Sequence, residues 1–194
     1  PFAILHCAGS GSAQASLANP WEDFQRTVAT TANVLEYVRA HSPSTRVIYP
    51  SSASVYGIAT TFPIHEDCRP APISPYGNHK WMAEQLVRSY ARHFGLSTAI
   101  VRFFSIYGSG LRKQLLWDAC RKLSQGDRVF MGTGDEVRDW LHVEDAATLL
   151  SAAAENASSD CPVVNGGTGE GISVRDLLTH VAHSLSMKSP QPEF

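Results

Sequence analysis

The sequence predicts an α/β fold, a doubly wound parallel sheet covered by helices. Short apolar runs alternate with longer segments of helical periodicity, which is typical of a parallel sheet with helices on its faces. The runs at 2–6, 46–49 and 97–103 are rich in large apolar and β-branched residues, as buried strands are. The predicted order of elements, β-α-β-loop-α-β-α-β-α-β-α, is that of a doubly wound sheet.

The first part of the chain contains two predicted strands and a helix. The apolar run at 2–6 is predicted as a strand, and the small residues at 8–12 as the loop that follows it. Apolar side chains at helical spacing predict a helix over 20–40. The second strand, at 46–49, runs into a polar turn at 51–54. Ligands of such sheets bind beyond the carboxyl ends of the strands, so this turn is a candidate binding position.

A proline-rich segment at 57–75 predicts a long loop, and loops of this length inside a compact domain are more often functional than idle. A helix is predicted over 75–94, with Gly95 as its C-cap. The remaining elements follow from the same patterns. They are strands at 97–103, 128–131 and 163–165, and helices at 115–123, 142–155 and 173–185, the last with Ser173 as a candidate N-cap.

Composition excludes several classes of protein. The 194 residues are 43% hydrophobic and 18% charged, which is too apolar for a disordered chain. Lys and Arg (16) nearly balance Asp and Glu (18), whereas binding to nucleic acid or an anionic membrane surface needs a basic surplus. No apolar run approaches the roughly 20 residues of a membrane span. We therefore expect neither a nucleic-acid nor a membrane partner.

The four cysteines, Cys7, Cys68, Cys120 and Cys161, are widely scattered. They form no CxxC pair and have no histidine at the spacing of metal ligands, so no metal site is expected. Isolated cysteines in a chain this apolar predict buried or half-buried free thiols, which indicate a cytoplasmic location. The alternative is a disulfide.

Tyr76 and Lys80 are the sharpest chemical signal in the sequence. Their spacing of four residues places both side chains on one face of the predicted helix, roughly 5–6 Å apart at Cβ. An ammonium this close is expected to lower the tyrosine pKa from about 10 toward neutral pH, which would make the phenolate a usable base. The same spacing is also common on solvated helix faces. The serines at 51–54 offer hydroxyls near a strand end, although such clusters often serve only the turn.

Five segments together resemble the extended short-chain dehydrogenases/reductases, in particular their NAD-dependent epimerase/dehydratase branch and its UDP-glucose 4-epimerase-like members. The segments are SSASVYG (51–57), SPYGNHKWMAEQL (74–86), VRFFSIYGSG (101–110), GTGDEVRDWLHVEDAA (132–147) and NGGTGEGISVRDLL (165–178). They occur in the family's order and at its spacing over nearly the whole chain.

This resemblance implies a catalytic triad of Ser52, Tyr76 and Lys80. Ser52 is selected over its neighbours because it lies three residues before the Val of the Val-Tyr-Gly motif. Tyr76 would remove a sugar hydroxyl proton as hydride leaves the same carbon for the nicotinamide. Lys80 would hold the ribose hydroxyls and lower the pKa of Tyr76, and Ser52 would hydrogen-bond the reacting oxygen.

The resemblance also implies the cofactor contacts. In relatives the loop after the first strand passes under the dinucleotide through its backbone, and here that loop is His6, Cys7, Ala8 and Gly9. Small residues suit this role because the backbone must approach the ligand closely. Phe103 matches the family position that flanks the nicotinamide ring, while Tyr76 and Lys80 reach the ribose.

For the substrate, the resemblance implies contacts from Ser52, Ser105 and Arg138. Most relatives have Asn at the position of Ser105, so the substrate contact made there differs in this chain. Arg138 matches the arginine that grips the substrate pyrophosphate, an anion suited to the planar donors of a guanidinium. The alternative is a surface arginine paired with Asp135 or Asp139.

The expected reaction is NAD-dependent 4-epimerisation of a UDP-hexose through a transient 4-keto intermediate. Dehydratases of this branch carry an Asp-Glu pair after the active Ser/Thr, where this chain has Ala53 and Ser54. A dehydratase, a keto-sugar reductase and a non-catalytic binding module remain alternatives.

The length is short for the family. Relatives begin with a strand, a Gly-rich turn and two further strands, none of which precedes the strand at 2–6. The resemblance therefore implies an internal fragment of a homodimeric enzyme. Residues 1–110 would form the C-terminal half of a Rossmann-like NAD-binding domain, and residues 111–194 would combine substrate-domain segments with returning Rossmann elements. We expect NAD rather than NADP on the resemblance to the family alone, because the strand whose last residue distinguishes the two cofactors is not in the sequence.

Overall fold

The structure, a computed structural model, describes residues 1–186 and 191–194. These residues form two compact units, each described by itself below. The first unit contains Pro1–Phe104 and Asp145–Gly166, and the second contains Ser105–Glu144 and Gly167–Phe194.

A four-stranded parallel sheet forms the centre of the first unit. Its strands, in spatial order, are β1 (Ala3–Leu5), β2 (Arg46–Ser52), β3 (Thr98–Phe103) and β6 (Val163–Gly166). The strands predicted at 2–6, 46–49, 97–103 and 163–165 are thus confirmed, with β2 extending three residues further than expected. The predicted α/β fold with a parallel sheet is confirmed.

Helices cover this sheet. They are α1 (Ala13–Ala18), α2 (Pro20–Phe24), α3 (Thr30–His41), α4 (Pro75–Phe94) and α6 (Val143–Glu155), whose residues from Asp145 belong to this unit. The helix predicted at 20–40 is helical throughout, but a π-helical turn at Gln25–Ala29 separates α2 from α3. Helix α1 was not predicted from the sequence. It is short and rich in small residues, and Ser16 is its one buried residue, so it shows no apolar face.

Helix α4 matches its prediction at both ends. The Ser74 side chain accepts a hydrogen bond from the Gly77 N–H, and Pro75 occupies the first turn, where a missing N–H costs nothing. Gly95 ends the helix in the left-handed conformation with φ of 68°. One face of α4 packs on the sheet and on α3 in a core of fully buried residues. That core comprises Leu35, Val38, Val47, Tyr49, Ala83, Val87, Ala91, Leu96, Ile100 and Cys161.

A buried ion pair ties α4 to strand β3. Glu84 is 0% exposed and Arg102 is 1% exposed. The Arg102 guanidinium donates from Nη2 to Glu84 Oε2 at 2.7 Å and from Nε to Oε1 at 3.0 Å. Its third nitrogen donates to the Tyr56 hydroxyl at 2.9 Å and to the Glu66 carbonyl at 3.0 Å. The same guanidinium therefore also anchors the long loop at 57–74.

The second unit contains a small sheet of three strands in the order β4 (Ser105–Tyr107), β5 (Val137–His142) and β7 (Gly171–Ser173). Strand β5 is parallel to β4 and antiparallel to β7. Helices α5 (Gln114–Ser124) and α7 (Val174–Ser184) confirm two predicted helices. They pack together around Ala119, Leu123, Phe130, Val174, Leu178 and Ala182.

One predicted strand in this part of the chain is wrong, and three observed strands were not predicted. Residues 128–131 are not a strand: only Val129 forms a bridge, to Glu193, and Met131 is 99% exposed. The helix predicted at 142–155 is confirmed as α6 (Val143–Glu155), and His142 ends β5 directly before it. The strands β4, β5 and β7 were missed because they are short or rich in charged residues, and so lack an apolar run.

The thiols also differ from expectation at one position. All four cysteines are free, and Cys161 is buried and Cys68 and Cys120 are half-buried, but Cys7 is exposed. Its exposure follows from its place in the loop after β1. In the described residues no helix is long and apolar enough to cross a membrane.

We predict that Glu84→Gln, which leaves the Arg102 cation buried without its counter-ion, lowers the free energy of unfolding by about 3–5 kcal/mol in urea denaturation. Glu36→Gln is the matched control, because Glu36 pairs with Arg39 on the surface. It should leave the unfolding midpoint nearly unchanged. Equal effects of the two substitutions would contradict the importance of the buried pair.

We also predict that Gly77→Ala destabilises the protein although alanine is the better helix former. A Cβ at this position would lie 2.7 Å from the Ser54 carbonyl oxygen, so the first turn of α4 would have to move. Such overpacking costs about 1–3 kcal/mol, which exceeds the roughly 0.5–1 kcal/mol gained from helix propensity. Gln85→Ala, on the exposed side of the same helix, is the control. An unfolding midpoint for Gly77→Ala at or above the unmodified protein's would show that the contact is not tight.

Candidate active site

The carboxyl ends of the parallel strands form one edge of the sheet in the first unit. In the register of the sheet, Ser52 at the end of β2 lies opposite Phe103 at the end of β3, and Phe103 lies opposite Gly166 of β6. The His6 N–H donates to the Ile48 carbonyl at 2.9 Å, which continues the pairing of β1 with β2 by one residue. The edge is where a ligand of a parallel α/β sheet binds.

The serines after β2 have different environments. The Ser51 hydroxyl is buried and donates to Glu84 Oε1 at 2.6 Å, so it is part of the hydrogen-bond network around the Glu84–Arg102 ion pair. The Ser54 hydroxyl is buried with no hydrogen-bond partner among the described residues. Ser52 is half-buried, and its hydroxyl accepts the Ser54 N–H at 3.2 Å. Ser52 is thus the serine whose hydroxyl is neither committed to Glu84 nor enclosed.

Tyr76 is held at the start of α4 by its backbone. Its N–H, which the helix itself cannot satisfy, donates to the hydroxyl of the fully buried Ser16 at 3.0 Å. The absence of a side chain at Gly77 lets this turn of α4 pack against the Ser54 carbonyl. The two contacts place the start of α4 beside the serine turn, where the Ser52 side chain lowers the pKa of the Tyr76 phenol.

Lys80 is buried, with 7% of its surface exposed. Its Nζ donates to the Pro50 carbonyl at 2.9 Å and lies 4.9 Å from the centre of the Tyr49 ring and 6.0 Å from that of Tyr76. Burial lowers the pKa of Lys80 to about 8, an effect that the Asp23 carboxylate opposes most strongly. The structure therefore brings Ser52, Tyr76 and Lys80 together, as the sequence predicted.

The predicted direction of the Tyr76 pKa is wrong. Burial raises the pKa of Tyr76 above its ordinary value; the hydrogen bond with Ser52 lowers it, and the Asp23 carboxylate raises it further. The helical spacing does bring Lys80 near Tyr76, but the ammonium donates to the Pro50 carbonyl. Desolvation of the buried phenol therefore has a larger effect on the Tyr76 pKa than the Lys80 charge has. In this arrangement Tyr76 is a neutral phenol at neutral pH.

The loop after β1 has an exposed backbone. Cys7, Ala8 and Gly9 are exposed, and Gly9 has a φ of 150°, which side-chain-bearing residues rarely adopt. A dinucleotide lying on this loop would meet backbone rather than side chains, so the residues present fit the predicted cofactor. The His6 side chain, in contrast, is buried and shares a hydrogen bond of 3.0 Å with Thr31. Burial, and then the charge of Lys80, lower the pKa of His6.

Phe103 is 6% exposed and packs against Gly166 of the neighbouring strand, where any side chain would collide with its ring. The ring therefore lies at the carboxyl edge of the sheet, in the wall of the site. Its predicted contact with a nicotinamide stays a prediction.

The other two predicted substrate residues lie in the second unit. Ser105 begins β4 opposite Trp140 of β5 and is half-buried. Arg138 lies in β5 and is exposed, and within the described residues it forms no ion pair. Asp135 instead lies 3.8 Å from Arg175, and Asp139 accepts from the loop at Thr168 and Gly169. Arg138 is thus a surface arginine, as in the alternative, but in the described residues it is not paired with Asp135 or Asp139.

Two residues of this site were missed in the sequence. Asp23 of α2 is 3% exposed, and its Oδ2 lies 2.5 Å from His79 Nδ1. His79 directly precedes Lys80. The Phe24 ring packs edge-on against the His79 ring, with 5.6 Å between the ring centres. Neither periodicity nor motif distinguishes Asp23 from a surface acid, because its partner lies 56 residues away. No group of three or more His, Cys, Asp or Glu within the described chain could hold a metal ion.

Known proteins are similar to this chain in sequence and in structure. Two curated relatives are a UDP-glucose 4-epimerase of Rhizobium meliloti and a CDP-paratose 2-epimerase of Salmonella typhi. The first is 30% identical over 92% of this chain and 60% of its own length, and the second is 33% identical over 81% and 54%. The crystallised MoeE5 in complex with UDP-glucose and NAD is similar in structure, with a TM-score of 0.90 and 30% identity over 99% of this chain and 64% of its own.

The chain thus spans about 60% of the length of the relatives it matches. The model of the NAD dependent epimerase/dehydratase family matches residues 1–166, which include the whole carboxyl edge of the parallel sheet. The chain belongs to the NAD dependent epimerase/dehydratase family.

Proposed function

We propose that the protein carrying this chain is an NAD-dependent nucleotide-sugar epimerase that inverts C4 of a UDP-hexose through a transient 4-keto sugar. The observation that carries the proposal is the convergence of Ser52, Tyr76 and Lys80 beside the exposed Gly9 loop. The relatives named UDP-glucose 4-epimerase, and MoeE5 with its UDP-glucose and NAD, support the choice of substrate class.

The cofactor would be held by backbone and by Lys80. We assign the loop of His6, Cys7, Ala8 and Gly9 to the dinucleotide, with His6 contributing its backbone since its side chain is committed to Thr31. The Lys80 ammonium has three donors and uses one on Pro50, so two can reach ribose hydroxyls. Phe103 would flank the nicotinamide. NAD, when bound, supplies a hydride acceptor that later returns the hydride.

Tyr76 and Ser52 would act on the sugar oxygen. Ser52 hydrogen-bonds the oxygen of the reacting carbon, and Tyr76 exchanges its proton with that oxygen. The neutral phenol is the form needed to protonate the 4-keto sugar on its return to an alcohol. Removal of the proton in the first step needs the phenolate, and the charge of Lys80 favours that form.

Two further residues are assigned to the substrate. Arg138, exposed and without an ion pair in the described chain, is proposed to bind the substrate pyrophosphate, and Ser105 to contact the sugar nucleotide. A homodimer and a cytoplasmic location stay predictions. The absence of an Asp-Glu pair after Ser52 continues to favour epimerisation over dehydration, since Ala53 and Ser54 carry no carboxylate.

We predict that the protein interconverts UDP-glucose and UDP-galactose without net release of NADH, because the hydride returns to the sugar. Chromatography of the sugar nucleotides measures conversion, and NADH absorbance measures release. Steady accumulation of NADH would identify a dehydrogenase instead, and a 4-keto-6-deoxy product would identify a dehydratase.

We further predict that Tyr76→Phe reduces turnover by about 10²–10⁴-fold, the range of a lost general acid–base group. The fold should persist, since the phenol hydroxyl anchors no backbone group; circular dichroism checks this. Tyr90→Phe on the same helix is the control, because its hydroxyl hydrogen-bonds the surface residue Glu36, away from the site. A Tyr76→Phe variant as active as this control would remove Tyr76 from the proposed mechanism.

A further inference from the structure

Buried charges in the described part of the chain come in two acids and two bases. Asp23, Lys80, Glu84 and Arg102 are the Asp, Glu, Lys and Arg residues that are buried there. Glu84 and Arg102 neutralise each other through paired hydrogen bonds. Buried charges persist only when another charge compensates them. That leaves Asp23, which contacts His79, a group that carries charge only when protonated, and Lys80, which forms no ion pair among the described residues.

Asp23 is only partly satisfied by its hydrogen bonds. Its Oδ2 contacts His79 Nδ1 at 2.5 Å, but its Oδ1 is buried and has no hydrogen-bond partner among the described residues. A carboxylate that accepts so few hydrogen bonds in a dry environment depends on nearby positive charge.

Asp23 and Lys80 have neighbours in common. His79, which contacts Asp23, directly precedes Lys80 on α4. Thr27, one helical turn after Asp23, and the Lys80 ammonium both border Gly9, within 3.8 and 4.0 Å of the place where its side chain would be. The Lys80 ammonium donates to a neutral carbonyl, and no carboxylate in the described chain forms an ion pair with it.

We propose that Asp23 is the counter-ion that keeps the buried Lys80 ammonium charged, and is therefore a positioning residue for the Tyr76–Lys80 pair. The proposal rests on the proposed function, because it gives Asp23 a part in that same site. Asp23 acts through Lys80 and touches neither sugar nor cofactor.

The other groups around Lys80 cannot replace Asp23. Glu84 is paired with Arg102 and raises the pKa of Lys80 less than Asp23 does. Burial raises the pKa values of Tyr49 and Tyr76, so both phenols are neutral. The remaining titratable neighbours are His6, whose lowered pKa makes it neutral, Cys7 in the exposed loop, and His79, which is held by Asp23.

The consequence concerns the charge of Lys80 near neutral pH. Burial alone pulls the pKa of Lys80 down to about 8 even with the Asp23 carboxylate opposing it. Without that carboxylate a large share of Lys80 would be neutral at physiological pH. A neutral amine no longer favours the Tyr76 phenolate, so proton removal would fail although Ser52, Tyr76 and Lys80 are all present.

The test follows the charge of Lys80 directly, in the chain itself and without substrate. The chain has four lysines, so with ¹³C-labelled lysine the Lys80 Cε signal is identified by its loss in Lys80→Arg. We expect this signal to titrate near pH 8 in the unmodified chain. In Asp23→Asn the midpoint should fall by about one pH unit or more.

Glu22→Gln is the matched control, because Glu22 precedes Asp23 on α2 but pairs with Arg26 in solvent, and it should leave the Lys80 midpoint unchanged. Asp23 could instead serve only to hold α2 against His79. Asp23→Asn would then lower the midpoint of unfolding but leave the titration midpoint of Lys80 unchanged, and this result would overturn the proposal.

A second measurement needs no variant that might not fold. In the unmodified chain, the Asp23 carboxyl ¹³C signal, assigned through the backbone, should shift at the same pH as Lys80. The absence of that inflection would also overturn the proposal. Because neither measurement involves turnover, a failure here leaves the epimerase assignment intact, and failure to convert UDP-sugars leaves the counter-ion result intact.

Discussion

The buried ion pair between Glu84 and Arg102 is the constraint on which the site depends. It joins the middle of α4 to the end of β3, and the same two side chains hold the Ser51 hydroxyl and the Tyr56 phenol. A planar guanidinium is suited to this, because its donors point in fixed directions and three of its nitrogens are used here. A hydrophobic pair would fix the distance between helix and strand but not the direction in which the serine turn leaves β2.

This constraint decides what Ser52, Tyr76 and Lys80 can do. Because Glu84 holds Ser51, the next hydroxyl along the turn, on Ser52, is the one left facing the Tyr76 phenol. Glu84 is paired with Arg102, and it raises the pKa of Lys80, one helical turn earlier on α4, less than Asp23 does. The second buried base must then draw on a carboxylate from another helix, which places part of the electrostatics of the site in α2.

How much the sequence predicts depends on whether a feature is local. Helix α4 was predicted with its observed bounds, and its C-terminal end could be predicted because Gly95 marks it by backbone conformation. Strands β4, β5 and β7 carry no such mark, since strands of three to six residues with exposed charges, such as Arg138, show neither an apolar run nor clean alternation. The motifs brought together Ser52, Tyr76 and Lys80, but not Asp23, whose contact with His79 spans 56 residues.

The error in the Tyr76 pKa has the same origin. Helical spacing fixes how close Lys80 can come, but the strength of an ammonium's effect depends on where its Nζ points and on how much water both groups have lost. Here the Nζ points to Pro50, and burial raises the pKa of the phenol while lowering that of the amine. Both neutral forms are thereby favoured together, so a tyrosine and a lysine at this spacing are not by themselves a base. They become one only when a third charge keeps the lysine ionised, and in this chain the carboxylate placed to do so is Asp23.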